Sequence, residues 1–358
     1  MSLAMGAHHY LASTPSTVSW GELPCETDTP VHEMASGQII TIDTVSHEGI
    51  LPDQGRDPRE FFARFGVPAG RILPDAIDIA ASGIIHTSAQ GPHVVTGPVA
   101  VRGAEPGDLL ALDIIELSRR ADYGIVSSRH GKGALPEEFP ADGHASTSVF
   151  CTAFDDIGVL PLRQDDSSFT DRHQRSIRFP LNPFLGIMGV AAAGHVRPYS
   201  VPPGRYGGNL DIRVFGIGAT VYLPVQVPEA LFYIGDPHYS QGDGEVALTA
   251  FEAPLRATLR VEVIAGGAQL AGGRPFGETA EHLVSIGLDP DLDEAVRDSV
   301  DAALDLMLAR YGVPRHLGYA YLSAACDVRV SQVVDQVKGC HTLIRKADFD
   351  QCHVSPIR

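Results

Sequence analysis

The sequence predicts a mainly β protein: sandwich- or barrel-like β domains with an α+β C-terminal part. Three observations lead there. Short apolar runs such as "QIITIDTV", "DLLALDIIEL", "GATVYLPVQV" and "LRATLRVEVI" recur along the chain. "RATLRVEVI" alternates apolar and polar residues, as a half-buried strand does. Thirty-seven glycines and 26 prolines punctuate the runs, a spacing of short strands typical of sandwiches and barrels.

Taken in order, the elements divide at about residue 176. Residues 1–176 read as a β-rich domain with long loops, because "SSRHGKGALPEEFPADGH" and "RQDDSSFTDRHQRS" within 118–176 are polar and broken. Loops of that length in a compact domain are often functional or interfacial. Residues 177–358 read as a second β-rich part with the α+β region at its end, and the two parts are free to interleave. The segment "DPDLDEAVRDSVDAALDLMLARYGVP" predicts a helix with Asp289 as N-cap and Pro290 at the first position. Leu292, Ala295, Val296, Val300, Ala303, Leu304, Met307 and Leu308 form its apolar stripe, and Gly312 and Pro314 stop it. A second helix over roughly 315–326 follows, and "DVRVSQVVD" then reads as extended.

Composition narrows the partners. The chain has 358 residues, 44% hydrophobic and 20% charged, with a formal charge of −17. Nucleic acid and anionic membrane both need basic surface, so neither is expected. No apolar run approaches the ~18 residues of a membrane span, and the first residues lack a signal-peptide pattern. Five cysteines, widely spaced and without a CxxC pair, fit reduced thiols and a cytoplasmic location.

Several catalytic signatures are missing. There is no HExxH, no GxSxG elbow and no Walker loop, and the only lysines are Lys132, Lys338 and Lys346. What stands out instead is a pair of polar loops. "RPYSVPPGRYGGNLDIR" (197–213) carries Asn209 and Asp211. "IGDPHYSQGDGEV" (234–246) carries Asp236, His238, Asp243 and Glu245. Facing each other across a sheet, the two would offer carboxylate, imidazole and carboxylate, a donor set for zinc, or for a calcium-like ion if carbonyls join. The alternative is a pair of Asp/Gly turns with solvated acids. Glu105 and Asp108 in "GAEPGD" read as a tight turn, and His86 in "IIHTS" as a satisfied, half-buried side chain.

The chain resembles the acetamidase/formamidase family of metal-associated linear-amide hydrolases. "SGQI" (36–39), "HVVTGPVAVRGAEPGDLLALDI" (93–114), "NPFLGIMGVA" (182–191), "VPPGRYGGNLD" (201–211), "YLPVQVPEALFYIGDPHYSQGDGEV" (222–246), "LDPDLDEA" (288–295) and "LSAACDVRVSQVVDQVKGCH" (322–341) carry the resemblance, in order, through nearly the whole chain. It implies hydrolysis of a small primary amide of the formamide, acetamide or arylacetamide type, a divalent metal, and a homodimer or higher oligomer. Asp211 and His238 are then the expected metal ligands. Glu245 is a third ligand or the general base, and Asp243 is a weaker catalytic candidate that could instead orient the glycine loop. His32, Glu33, His93 and Asn209 are expected to touch substrate or support the metal ligands. The chain departs from the family at "VHEM", where Glu33 replaces an aspartate. It departs again at Tyr239, where a small residue is usual, which points to a different acyl pocket. A second reading is a non-catalytic, metal-stabilised β protein that binds small amides.

Overall fold

The computed structural model describes residues 8–87, 89–162, 169 and 175–357. It consists of two large sheets. The first runs, edge to edge, through His8–Leu11, Gln38–Asp43, Leu255–Ile264, Leu109–Arg119, Thr220–Pro224, Phe276–Glu278, His282–Asp289, Lys338–Arg345 and Asp327–Gln332. In the second, Phe232–Ser240 is central. It lies between Phe184–Gly189 and Phe251–Glu252 and also pairs with Val94–Arg102. Both sheets take strands from both sides of residue 176, so the two halves of the chain interleave.

Alternation explains how the sheets stack. In Leu255–Ile264 the side chains of Leu255, Ala257, Leu259 and Val261 are buried, whereas Arg256 and Arg260 point outward. The buried row meets Ile40, Ile42, Leu110 and Leu112 of its own sheet and Val99, Val101, Phe232 and Ile234 of the other in one core. Two sheets sharing an apolar interior make the expected sandwich.

The polar stretch after residue 118 contains more strand than expected. Tyr123–Arg129 and Ser146–Phe154 pair antiparallel in full register, and Ile157–Pro161 extends them. Most of "RQDDSSFTDRHQRS" lies outside the described residues.

The long helix spans Leu292–Tyr311, two residues later than Asp289 and Pro290 suggested. Asp291, not Asp289, is its N-cap and accepts from the N–H groups of Asp293 and Glu294. Asp289 still belongs to the preceding strand, and its carboxylate accepts from Asp291 N–H at 2.8 Å. The helix lies on the outer face of the first sheet, with Ala303, Leu304 and Met307 against Leu283 and Ile344. Its backbone comes so close that a Cβ on Gly287 would sit 2.1 Å from Ala295 O, so only glycine fits there. A shorter helix, Arg315–Ala325, follows, and then the extended Asp327–Gln332. No helix among the described residues is long and apolar enough to cross a membrane.

Candidate functional site

Three adjacent strands of the second sheet build the floor of the site. Phe232–Ser240 carries Asp236 and His238, two residues apart and so on one face. Its neighbour Phe251–Glu252 sets Glu252 opposite His238. On the other side, Phe184–Gly189 runs antiparallel, with Phe184 opposite His238 and Gly186 level with Asp236. The His238 ring is fully buried. Its Nε2 is 3.0 Å from both Asp236 Oδ2 and Glu252 Oε1, and its Nδ1 is 3.8 Å from Asp211 Oδ1. Phe184 packs edge-on against this ring at 4.9 Å.

Loops complete the ring of acids. Asp211 follows the strand Gly207–Asn209 and is anchored where its N–H donates to Gly186 O at 3.2 Å. Glu245 comes from the glycine-rich turn after Ser240, in which Gly244 N–H donates to Ser331 O. Asp335 arrives on the loop after Asp327–Gln332, its N–H held by Gln332 Oε1 at 3.1 Å. Gln241 ties these segments together, donating to Asp211 O at 2.9 Å and Ser331 O at 3.2 Å. Asp211, Asp236 and Glu245 all have φ near +50°, the left-handed region that costs energy for non-glycine residues. Backbone strain is thus present at three of the converging acids.

The first domain half supplies the far wall. His47 lies 3.6 Å from Asp236 and 3.4 Å from Glu48, and His93 is 3.8 Å from Asp236. His93 Nδ1 bonds Ser200 Oγ at 3.0 Å. Glu48 also accepts from Ser127 Oγ at 2.6 Å and lies near Arg129, which pairs with Asp53.

Six carboxylates, those of Glu48, Asp211, Asp236, Glu245, Glu252 and Asp335, are therefore buried around three imidazoles. Burial, and then the neighbouring Asp236, push Asp211 up to about 7. Burial and the charge of Asp211 raise Glu245 and Asp335 well above the usual carboxylate range. Glu252 is also raised, by burial and by Asp236. Burial opposes charge on His238, but Glu252 and Asp236 outweigh it and hold the ring well above its ordinary value. Burial likewise opposes charge on Asp236, yet the charge of His238 and polar contacts with His238 and His47 keep it well below. Against the same opposition, Asp236 and Glu48 lift His47 to about 10. Burial pulls His93 down to about 4.

This arrangement fits a cation. Asp211, His238 and Glu245 each offer a ligand atom within 4.8 Å of the others, as do Asp236, His238 and Glu252, and His47, His93 and Asp236. Both His238 nitrogens, both His47 nitrogens, and Asp211 Oδ1, Asp236 Oδ1 and Glu252 Oε2 are buried without a hydrogen-bond partner. Buried polar atoms in proteins are normally satisfied, so this many orphans around one point are a donor set. Above them opens a cavity of about 660 Å³, into which His47, His93, Asn209, Asp211, Glu245 and Asp335 face.

Of the residues picked from the sequence, the structure brings together Asp211, His238, Glu245, His93 and Asn209. Others lie elsewhere. Asp243 faces solvent, where Arg213 binds its carboxylate at 2.7 Å, because the left-handed turn at Gly244 and Glu245 points the two acids apart. His32 bonds His9 on a strand beside Val94–Arg102 and does not line the cavity, and Glu33 next to it is exposed. Tyr239 points into the inter-sheet core, where its hydroxyl donates to Ala121 O at 2.7 Å. It therefore shapes no acyl pocket. His47, Glu48, Glu252 and Asp335 are not picked from the sequence, and Asp236 is named there without a role. Asp236 sits in the conspicuous "GDPH" stretch, and "SHEG" could have been noticed. Glu252 in "AFEAP" and Asp335 in "VVDQ" give no local signal.

Comparison with known proteins agrees with the resemblance in the sequence. The model of the "Acetamidase/Formamidase family" matches residues 75–198 and 196–351. A formamidase of Methylophilus methylotrophus is 30% identical over 325 residues, covering 74% of this chain and 78% of that protein. An acetamidase of Mycolicibacterium smegmatis is 29% identical over 267 residues, covering 59% and 66%. The crystal structure of an acetamidase from Bacillus halodurans superposes with a TM-score of 0.72 at 24% identity, over 96% of this chain and all of that one, a likeness of fold. With its motifs, its sheets and its buried acid–imidazole cluster in place, this chain is a member of the acetamidase/formamidase family.

Proposed function

We propose that the cavity hydrolyses an unsubstituted primary amide with the help of a divalent cation, zinc by preference and calcium as the alternative. As a family member the chain is an amidohydrolase acting on linear amides. The reaction is R–CO–NH2 plus water to carboxylate and ammonia: water oxygen adds to the carbonyl carbon, the C–N bond breaks, and nitrogen leaves with an added proton. The observation that carries the metal reading is the set of unpartnered donor atoms on Asp211, His238, Asp236 and Glu252.

Asp211, His238 and Glu245 would hold the cation, or Asp236, His238 and Glu252 would, since His238 belongs to both sets. When bound, such an ion polarises a carbonyl and brings the pKa of its water to about 7. The chain's own groups do the rest. Glu245, buried at the cavity wall, is placed to take a proton from the attacking water and return it to nitrogen, the work of a general base and then acid. If Glu245 is a ligand instead, Asp335 beside Asp211 is the next carboxylate in reach of the cavity. Asn209, whose buried Oδ1 lacks a partner, is suited to accept from the substrate –NH2. Cytoplasmic residence and assembly as a homodimer or higher oligomer complete the proposal. Ammonia release that is abolished by a chelator and restored by zinc tests it. Metal-loaded protein that releases ammonia from no primary amide would favour the non-catalytic binding protein.

A further inference from the structure

We infer that the preferred substrate is an amide with a bulky, uncharged apolar acyl group, aryl or branched alkyl, and not formamide or acetamide; this rests on the amidase reading of the same cavity. The acids and imidazoles occupy only its floor. The cavity as a whole measures about 660 Å³, a size that elsewhere encloses a drug-sized ligand. The acyl part of acetamide is a single methyl group and would leave nearly all of that space to water.

The walls say what should fill it. Above the floor stand Leu51, Pro92, Val201, Leu248, Val333 and Val334. Val201, Leu248, Val333 and Val334 are half-buried, so their side chains keep apolar surface open on the cavity side. The six wall residues come from five separate stretches of chain, and the 331–335 loop is tied in place by Val333 N–H donating to Gly244 O at 3.1 Å. The lining is therefore built, not a chance gap between loops. The buried carboxylates of the floor argue against an acidic acyl chain, and the rim offers little to hold one. Arg129 is already engaged by Asp53 and Ser127, and Lys132 is exposed. One methylene in an apolar pocket is worth roughly tenfold or more in kcat/KM, so filling this wall discriminates strongly.

The test compares kcat/KM for ammonia release from formamide, acetamide, hexanamide, phenylacetamide and succinamate by the zinc-loaded protein. Calorimetric binding of phenylacetamide and acetamide runs beside it. We expect phenylacetamide to exceed acetamide by about tenfold or more. Val201→Trp, which narrows the wall, should cut that ratio by a similar factor, and a ratio within one preparation is insensitive to a misfolded fraction. Formamide or acetamide as the best substrate, or an unchanged ratio in Val201→Trp, overturns the inference and leaves the amidase reading standing. Preference for succinamate, lost in Lys132→Ala, overturns it in favour of an anionic acyl chain. If no amide is turned over, the amidase reading fails, and the calorimetry still decides: phenylacetamide binding no tighter than acetamide overturns the apolar cavity as well.

Discussion

Gly186→Ala should remove the metal and the activity while leaving the sheets in place. A Cβ at this position would stand 2.4 Å from Asp211 Oδ1, 2.5 Å from Asp236 Oδ2 and 2.8 Å from His238 Cε1. Ordinary van der Waals contact begins at 3.4 Å, so both carboxylates must retreat by about 1 Å, well beyond the ~0.2 Å tolerance of metal–ligand distances. Misplacement of reacting groups by that much costs about 10²-fold in rate. The backbone itself has no objection, because the φ of Gly186 is not in the left-handed region. The cost to the fold is therefore that of overpacking, about 1–3 kcal/mol. We expect turnover down by ~10² or more, metal content well below one ion per chain, and a melting temperature lower by several degrees. Gly70→Ala, with nothing within 4 Å of its Cβ, is the control and should be neutral. A Gly186→Ala protein that keeps full metal content and near-native ammonia release would refute the placement of the site.

Four further outcomes are expected. His238→Ala leaves Asp236 and Glu252 facing each other without the cation that separates them, so metal and activity should go together and stability should fall by about 3–5 kcal/mol; full metal content in this variant would contradict the assignment. Glu245→Gln should lower kcat by ~10²–10⁴ if the carboxylate moves the proton, and should also weaken metal binding if it is a ligand, whereas Asp243→Asn, on the solvent side, should leave kcat within about twofold. Asp211 is raised from 3.8 to about 7, so its proton contributes stability to the metal-free protein that is fully present below pH ~4 and lost as the pH rises through ~7. Zinc replaces that proton, so the rise in melting temperature on adding zinc should be small near pH 5 and grow toward pH 8, and a pH-independent rise would count against it. Light scattering should report a mass above 38 kDa, and a single species of that mass at micromolar concentration would rule out self-association.

Much of the fold was legible because its signals are local. The alternation of Leu255, Ala257, Leu259 and Val261 survives as a buried row, and the apolar stripe and Gly312 stop place the long helix. Its first turn was misjudged because two aspartates compete for one cap, and only the hydrogen bonds pick Asp291. In the site, Asp211 and His238 could be found because they lie in stretches unusually rich in glycine and acid, although His238 proves to sit on a strand and not in a loop. Asp243 and Glu245 look equivalent in the sequence. A left-handed turn sends one to Arg213 and the other to the cavity, and nothing local announces which. Glu252 and Asp335 are more instructive. Each is a single acid in an apolar setting, and each matters only through a neighbour distant in the chain: His238 across a strand pair for one, Asp211 across a loop for the other. Gly186 is harder still, since its contribution is the absence of a side chain.

The balance of charge explains why the site is assembled from so many segments. Six acids cannot all ionise in a space closed to water unless positive charge is supplied. The protein provides only part of it. His238 and His47 are charged by their neighbours, while burial keeps His93 neutral. Arg129 stands at the edge, shared with Asp53. Without a cation, burial and the neighbouring acids make Asp211, Glu245, Glu252 and Asp335 harder to ionise, while Asp236 and Glu48, next to the charged imidazoles, are lowered. A divalent ion held by Asp211, His238 and Glu245, or by Asp236, His238 and Glu252, would take the place of the protons such acids keep and tie the strand at 236–238 either to the loops at 211 and 245 or to the strand at 252. The loops add acids to the two, Asp236 and Glu252, that adjacent strands already hold against His238, whose charge offsets the repulsion between like charges there. The left-handed φ values at Asp211, Asp236 and Glu245 are the backbone's share of the cost of gathering these acids. The loop that delivers Asp335 also carries Val333 and Val334, and Asp335 lies against Asp211, so an ion held at Asp211 would also steady the apolar surface against which an acyl group would pack.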